Sequence, residues 1–459
     1  MNAHVNAADF GFLPESSGMA NAAALQRSLD AGGTVVVSQP GIYKLSRTVY
    51  IGSYTTLIFA NDVFMQKVDE EGAFSHVILN KGALSCTYDE HISIHNLHIQ
   101  VNSVDVRTFK DVFGLHGQLA FFYVKDLRIE RFRCLDLGKA QYGIHICTFE
   151  DILIHDVIVK GDKDGVHLGR GKRFTIRDCV FETYDDAIAL NAHDYDVGNP
   201  EMGWIEDGVV ENCHDLARNE ENNDTVGFFC RILSGAWKDW EIGMTVQKSD
   251  TVVSEGRLYR VKANPDKMVY VSTTKPVHES GTMVLDGIHW TMVQKEVVYT
   301  AGVRNVTFRD IFLHKARTGF SVHFDNDHYS RSYYPGAPVP MQKQIILDNI
   351  RVLHDHPNSL VSINTPVDVV TITNSSLQDN VIRFRGNKAM TDYLETRILM
   401  TGCVFHHNGK MNLVENTVEN KKVYLKIAAS VEMNSDFIAV LKPGPGSIHC
   451  VADLSVEID

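Results

Sequence analysis

A short grammar recurs along this chain: apolar residues alternate with polar ones, and the run ends on an asparagine or aspartate followed by one more apolar residue. It is read from Ile92 to Leu97 around Asn96, from Ile152 to Val157 around Asp156, from Thr175 to Cys179 around Asp178, and from Val209 to Cys213 around Asn212. Later copies centre on Asp310, Asn349 and Asn374, and Gly402 fills the polar slot in the last. Neighbouring slots such as Asp156 and Asp178, Asn349 and Asn374, or Asn374 and Gly402 lie 22, 25 and 28 residues apart, the period of a solenoid. Each period holds a second strand, seen at Gly143–Cys147, Gly165–Gly169, Ala187–Asn191, Gly227–Arg231 and Gly319–His323. Two or three short strands per coil, stacked at about 4.8 Å, describe an all-β parallel β-helix. Asparagine and aspartate suit the slot because they tolerate left-handed turn angles and bond their own turn amides.

Strand alternation predicts an interior column of Ile144, Val166, Ile188, Phe228 and Phe320, and two residues on a second one of Ile146, Leu168, Leu190, Cys230 and Val322. It predicts outward columns too. One holds His145, His167 and Ala189, and the next holds Cys147, Gly169, Asn191, Arg231 and His323. Near the start, residues 19–33 read as one amphipathic helix ended by glycine, placed to cap the open edge of the first coil. The order of helix, Gly-Gly, strand and Pro-Gly-x-Tyr resembles the entry of pectin-degrading β-helix enzymes and phage tailspikes.

From Asn212 to Asp310 is 98 residues, more than one or two coils need. The coil grammar stops between 237 and 293, so the chain divides into a first β-helix part (1–236), a small inserted β-module (237–293) and a second β-helix part (294–459). Spaced aromatics in the insert, Trp237, Trp240, Tyr259 and Trp290, resemble small carbohydrate-binding and fibre modules, which offers two roles: the module's own core, or rings that stack on sugars.

The chemistry concentrates between Lys163 and Asp194. Asp164 precedes Gly165, and Asp185 and Asp186 follow 21 and 22 residues later, which is one coil. Three carboxylates in one patch repel one another unless a function or a counter-cation compensates. Glycoside hydrolysis uses such a set, one carboxylic acid protonating the leaving oxygen while another carboxylate activates water. The pair Asp164-Gly165 and Asp185-Asp186-Ala-Ile-Ala-Leu-Asn191 resembles the polygalacturonase family of inverting glycoside hydrolases. That resemblance implies a right-handed, pectin-lyase-like parallel β-helix, with Asp185 as general acid and Asp164 with Asp186 as the pair that activates water. The family's Gly-His-Gly is replaced by Glu206-Asp207-Gly208, and its Arg-Ile-Lys by Arg231-Ile232-Leu233. Without that lysine a neutral sugar, or a uronate held in another way, is the expected substrate.

His145, His167, Asn191, His193, Arg231, His323 and Asp325 are the expected substrate contacts, beside Asp194. The loops 194–203 and 328–341 are expected to wall one end of the groove and favour exo action. No cofactor and no metal is expected, since the eight cysteines form no C-x-x-C pair and no zinc spacing; most read as reduced core residues. With 57 acidic against 44 basic residues the net charge is −13, which argues against a nucleic-acid partner, and no stretch is apolar enough to span a bilayer. The expected partner is a carbohydrate. No signal peptide is read at Met1–Gly18, so secreted, periplasmic and cytoplasmic locations all stay open, as does the oligomeric state, a homotrimer included. Two other functions share the fold: a Ca²⁺-dependent lyase or epimerase, and a non-catalytic, tailspike-like glycan binder.

Overall fold

The computed structural model describes residues 4–194, 198–218, 226–262, 269–325, 331–354, 358–378, 381–386, 395–406, 410–432, 438–443 and 447–456. Nearly all its strands pair in parallel, and the chain divides into two compact units. One comprises residues 1–189, 207–229 and 308–317; the other comprises 190–206, 230–307 and 318–459.

In the first unit the ladders run coil on coil in register. Val35 lies opposite Leu57, Leu57 opposite Ile94, Ile94 opposite Ile129, Ile129 opposite Ile154, and Ile154 opposite Ile176. All six are fully buried, each contributing roughly 1.5–3 kcal/mol of transfer free energy. In the second unit Cys230, Phe320, Val361, Ile382 and Val414 stack in the same way. This is a parallel β-helix core.

Every expected Asn/Asp slot is a left-handed residue: Asn96, Asp156, Asp178, Asn212, Asp310, Asn349 and Asn374 have φ between 48° and 58°, and Gly402 has 66°. The amides at these corners bond to the next coil, as Asn96 N does to Glu130 O and Asp156 N to Arg177 O. Their side chains add bonds of their own: Asn96 Nδ2 donates to Phe59 O at 3.0 Å, and Asn212 Nδ2 to Asp178 Oδ1 at 2.6 Å. Five residues before most slots stands a second left-handed residue, at His91, Asp126, Asp151, Arg173, Asp207, Asn305 and Gln344. Its mixed chemistry hid it from a reading by residue type. Arg131, with φ 57°, fills the slot of a coil whose motif the sequence disguises.

The expected cap is a helix, Gly18–Asp30. Ser17 accepts the Ala20 amide, and Glu70 accepts the amides of Gly18 and Met19 at 2.9 and 3.0 Å, which hold its carboxyl below the usual range. Ala22, Leu25 and Leu29 bury its inner face. In the second unit, residues 238–294 leave the coil pattern and form a five-stranded sheet of mixed pairing beside a two-stranded one. Tyr259 and Trp290 are fully buried in the hydrophobic cluster of this region, Trp237 is buried against His193, and Trp240 packs partly buried on the same cluster with its Nε1 donating to Ser272 Oγ. Of the two roles read for these rings, Tyr259 and Trp290 fill that of the module's own core. Of the eight cysteines, Cys134, Cys147, Cys179, Cys213, Cys230 and Cys403 are buried. No helix of the described residues is long and apolar enough to cross a membrane.

One part of the expected register needs correction. Phe320 lies opposite Cys230, and Val322 opposite Ile232, two residues later than alternation from Gly227 implies. Phe228 is only half-buried. The reason is local: Gly227 turns left-handed at φ 71°, with a space for Cβ only 2.6 Å from the Asp185 carbonyl carbon, and the strand starts afresh at Cys230. Arg231 consequently faces Ser321, and His323 faces Leu233, so the expected Arg231–His323 column does not exist.

Two stability measurements test this description. Arg131→Asn is expected to raise the urea midpoint by the equivalent of about 1 kcal/mol, because asparagine tolerates the left-handed region and the exposed Arg131–Asp156 pair at 4.0 Å is worth little; an unchanged or lower midpoint would refute it. His76 is fully buried with Nδ1 at 2.7 Å from Gly117 O, and burial pushes its pKa from 6.5 down to about 4. Between those values the unfolded chain binds a proton that the folded one refuses, so stability falls as the pH drops through that window. His76→Gln should flatten the dependence of the urea midpoint on pH between 6.5 and 4.

Candidate active site

The carboxylate cluster belongs to the first unit, and the backbone ladder builds it. Gly143 N donates to Asp164 O at 2.9 Å, and Gly165 N donates to Asp186 O at 3.0 Å. Asp164 and Asp186 thus hold equivalent places on successive coils, with Asp185 beside them. Gly165 is required there, since a Cβ would stand 2.4 Å from the Phe181 ring and 2.7 Å from Ala187 O. One carboxylate oxygen from each of Asp164, Asp185 and Asp186 lies within 4.8 Å of the other two. Asp164 and Asp186 are buried and Asp185 is half-buried.

Each carboxylate has its own partner. His167 Nδ1 lies 2.9 Å from Asp164 Oδ2, the Lys163 ammonium lies 2.7 Å from Asp185 Oδ2, and the Phe228 amide donates to Asp186 Oδ1 at 2.9 Å. Two like charges at this separation repel by roughly 3 kcal/mol in a medium of effective dielectric 20. Lys163 offsets part of that cost. Three atoms that all lie within 4.8 Å of one another leave a point no farther than about 2.8 Å from each, within hydrogen-bond reach. The three oxygens can all bond one water there.

His145 and His167 are fully buried. His145 Nδ1 accepts the His116 amide at 2.9 Å, while the His167 ring stacks on Tyr142 at 4.3 Å and meets His145 edge-on at 4.6 Å. Glu206-Asp207-Gly208, standing where the resembled family has its histidine, is a strand and corner: Asp207 is left-handed, and a Cβ at Gly208 would meet the Phe174 ring at 2.0 Å.

The remaining expected contacts lie in the second unit. Asn191 Nδ2 donates to Asp194 Oδ2 at 2.7 Å, and Asn199 Nδ2 to Asn191 O at 2.8 Å; all three residues are buried. His193 packs on Trp237 at 5.6 Å, and burial pushes its pKa down to about 3. Burial, then the Arg231 charge, pushes His323 down to about 3 as well, and its Nδ1 lies 2.8 Å from Ser321 Oγ. Both imidazoles are neutral at pH 7. Arg231 and Asp325 are half-buried, while Leu233 is buried where the family's lysine would stand. The loops 194–203 and 328–341 fall partly outside the described residues, at 195–197 and 326–330.

Sequence reasoning missed what lies behind the acidic turn. Lys315 and Arg317, both buried, reach the backbone of residues 183–185. No periodic signal marks them, because they follow a strand rather than sit in one.

No protein-family model and no curated protein sequence matches this chain. Solved structures do. A hyperthermoactive exopolygalacturonase from Thermotoga maritima is 12% identical over 99% of this chain and 92% of its own, with a TM-score of 0.52. A tailspike protein of the E. coli bacteriophage HK620, solved in complex with a pentasaccharide, is 10% identical over 94% of this chain and 67% of its own, with a TM-score of 0.53. With its ladders of stacked coils and these structural relatives, the chain is a parallel β-helix protein of the pectin-lyase-like fold.

Proposed function

We propose that this protein is a glycoside hydrolase that cleaves a glycosidic bond of a polysaccharide or oligosaccharide with inversion. The observation that carries the hydrolase reading is the triangle of carboxylate oxygens within 4.8 Å, able to hold one water; it is tighter than the about 6.5–9.5 Å usual between the acid and base of inverting enzymes, so inversion rests on the resemblance of the Asp164-Gly165 and Asp185-Asp186 motifs to the polygalacturonase family. Asp185, the most exposed of the three, gives its proton to the leaving oxygen as the bond to the anomeric carbon breaks. Crowding by Asp164 and Asp186 is what favours that proton; the Lys163 ammonium, 2.7 Å away, opposes it at rest and stabilises the carboxylate left behind. Asp164 and Asp186 take a proton from the water, whose oxygen bonds to the anomeric carbon from the opposite face. His167 holds Asp164 in place, and the Phe228 amide holds Asp186.

A carbohydrate substrate is in keeping with an exopolygalacturonase and a pentasaccharide-binding tailspike on the same fold. Arg231, His323 and Asp325, half-buried in the second unit, are the proposed sugar contacts with surface to offer; Asn191 and His193 of that unit, and His145 and His167 of the first, are buried. With Leu233 in the lysine position and both His193 and His323 neutral, a neutral sugar fits better than a uronate gripped by a cation in the family's manner.

Asp185→Asn should lower kcat by about 10²–10⁴ and leave glycan affinity within about twofold, measured by calorimetry on a substrate found in a panel of plant, algal and host glycans. The first product seen by NMR should be the inverted anomer, and retention would dismiss the water-activating pair. Activity should survive EDTA. Activity that needs Ca²⁺ and yields unsaturated uronides would instead establish the lyase reading, and binding without any turnover would establish a tailspike-like binder.

A further inference from the structure

We propose that Lys315 and Arg317 are positioning residues for the carboxylate cluster, a buried cationic brace that aims Asp185 and Asp186; the inference rests on the hydrolase reading and deepens it. The two residues follow the strand Val303–Leu313 and are 2% and 1% exposed. Lys315 Nζ donates to Thr183 O at 2.8 Å, Tyr184 O at 3.2 Å and Val226 O at 3.3 Å. Arg317 Nη1 donates to Asp185 O at 2.6 Å and to Val226 O at 3.3 Å. The other edge of the guanidinium is clamped by Asp215, with Nε and Nη2 at 3.0 and 2.6 Å from its two oxygens. Asp215 O in turn accepts the amides of His314 and Lys315, so the brace is anchored at both ends.

Every peptide carbonyl from Thr183 to Asp185 is therefore held by a cation, and Thr183 Oγ1 adds a bond to Asp185 O at 3.0 Å. The same cations grip Val226 O, next to Gly227, which packs against Asp185, and two residues before Phe228, whose amide holds Asp186. One buried device thus sets both segments that orient the two adjacent aspartates. Ordinary turns satisfy their carbonyls with water or backbone amides. Burying two cations is expensive unless their fixed geometry serves something, and here it serves carboxylates whose placement matters to within about an ångström.

The test compares wild type with Lys315→Met, Arg317→Lys and the double variant Asp215→Leu/Arg317→Met, which swaps the buried ion pair for apolar residues of similar size and keeps the fold in reach if a single change does not. Folding is checked by circular dichroism and thermal midpoint. A loss of kcat of about 10–100-fold is expected, with KM and glycan Kd within about twofold. A double variant as stable as wild type should stay impaired. Full activity in the stable double variant would overturn the proposal, because the pair would then be packing alone. Wild type without turnover on any glycan would count against the hydrolase reading instead. Crystal structures then decide the brace by themselves: in Arg317→Lys the Asp185 carboxylate should shift by about 1 Å from Asp164 and Asp186, and an unmoved carboxylate would overturn it.

Discussion

Coil-on-coil registration of parallel strands is the constraint on which everything else here depends. Once one coil pairs with the next at about 4.8 Å, residues at equivalent positions stack like on like. For Leu57, Ile94, Ile129, Ile154 and Ile176 that stacking makes a core. For Asp164 and Asp186, joined through the Gly165 amide, the same geometry forces charge against charge. The ladder that stabilises the interior thus imposes an electrostatic cost at the site, part of which the Lys163 ammonium beside Asp185 offsets.

The corners are where this registration is kept. Each needs left-handed backbone, often twice within five residues, and the chain meets the demand in two ways. At the later position it uses asparagine or aspartate, whose side chains bond neighbouring coils. At the earlier one it uses aspartate or asparagine at Asp126, Asp151, Asp207 and Asn305, but also accepts histidine, arginine or glutamine and tolerates the strain, since the adjoining ladder bonds outweigh a cost of about 1 kcal/mol at a single residue.

The legible features were those where one residue type has one physical reason to recur. The asparagine and aspartate corners, the capping helix and the proximity of Asp164, Asp185 and Asp186 all followed from spacing. The register at Phe228 did not, because Gly227 and Phe228 are diverted from the strand to pack against Asp185 and to hold Asp186. Alternation cannot see a residue that leaves the strand for the site. The rings of Tyr259 and Trp290 could have been core or platform, and only the small mixed sheet around them, which needs a core of its own, made them core.

Periodicity and side-chain chemistry alone were enough for the parallel β-helix, for the break in its pattern after Asn212 and for the acidic cluster, because a solenoid repeats its local rules every coil. What covers a residue is not a local property. That His145 and His167 are buried, that Arg231 faces Ser321 rather than His323, and that Lys315 and Arg317 reach across more than a hundred residues to the turn carrying Asp185 were settled by long-range packing, which places side chains according to what the rest of the chain brings against them.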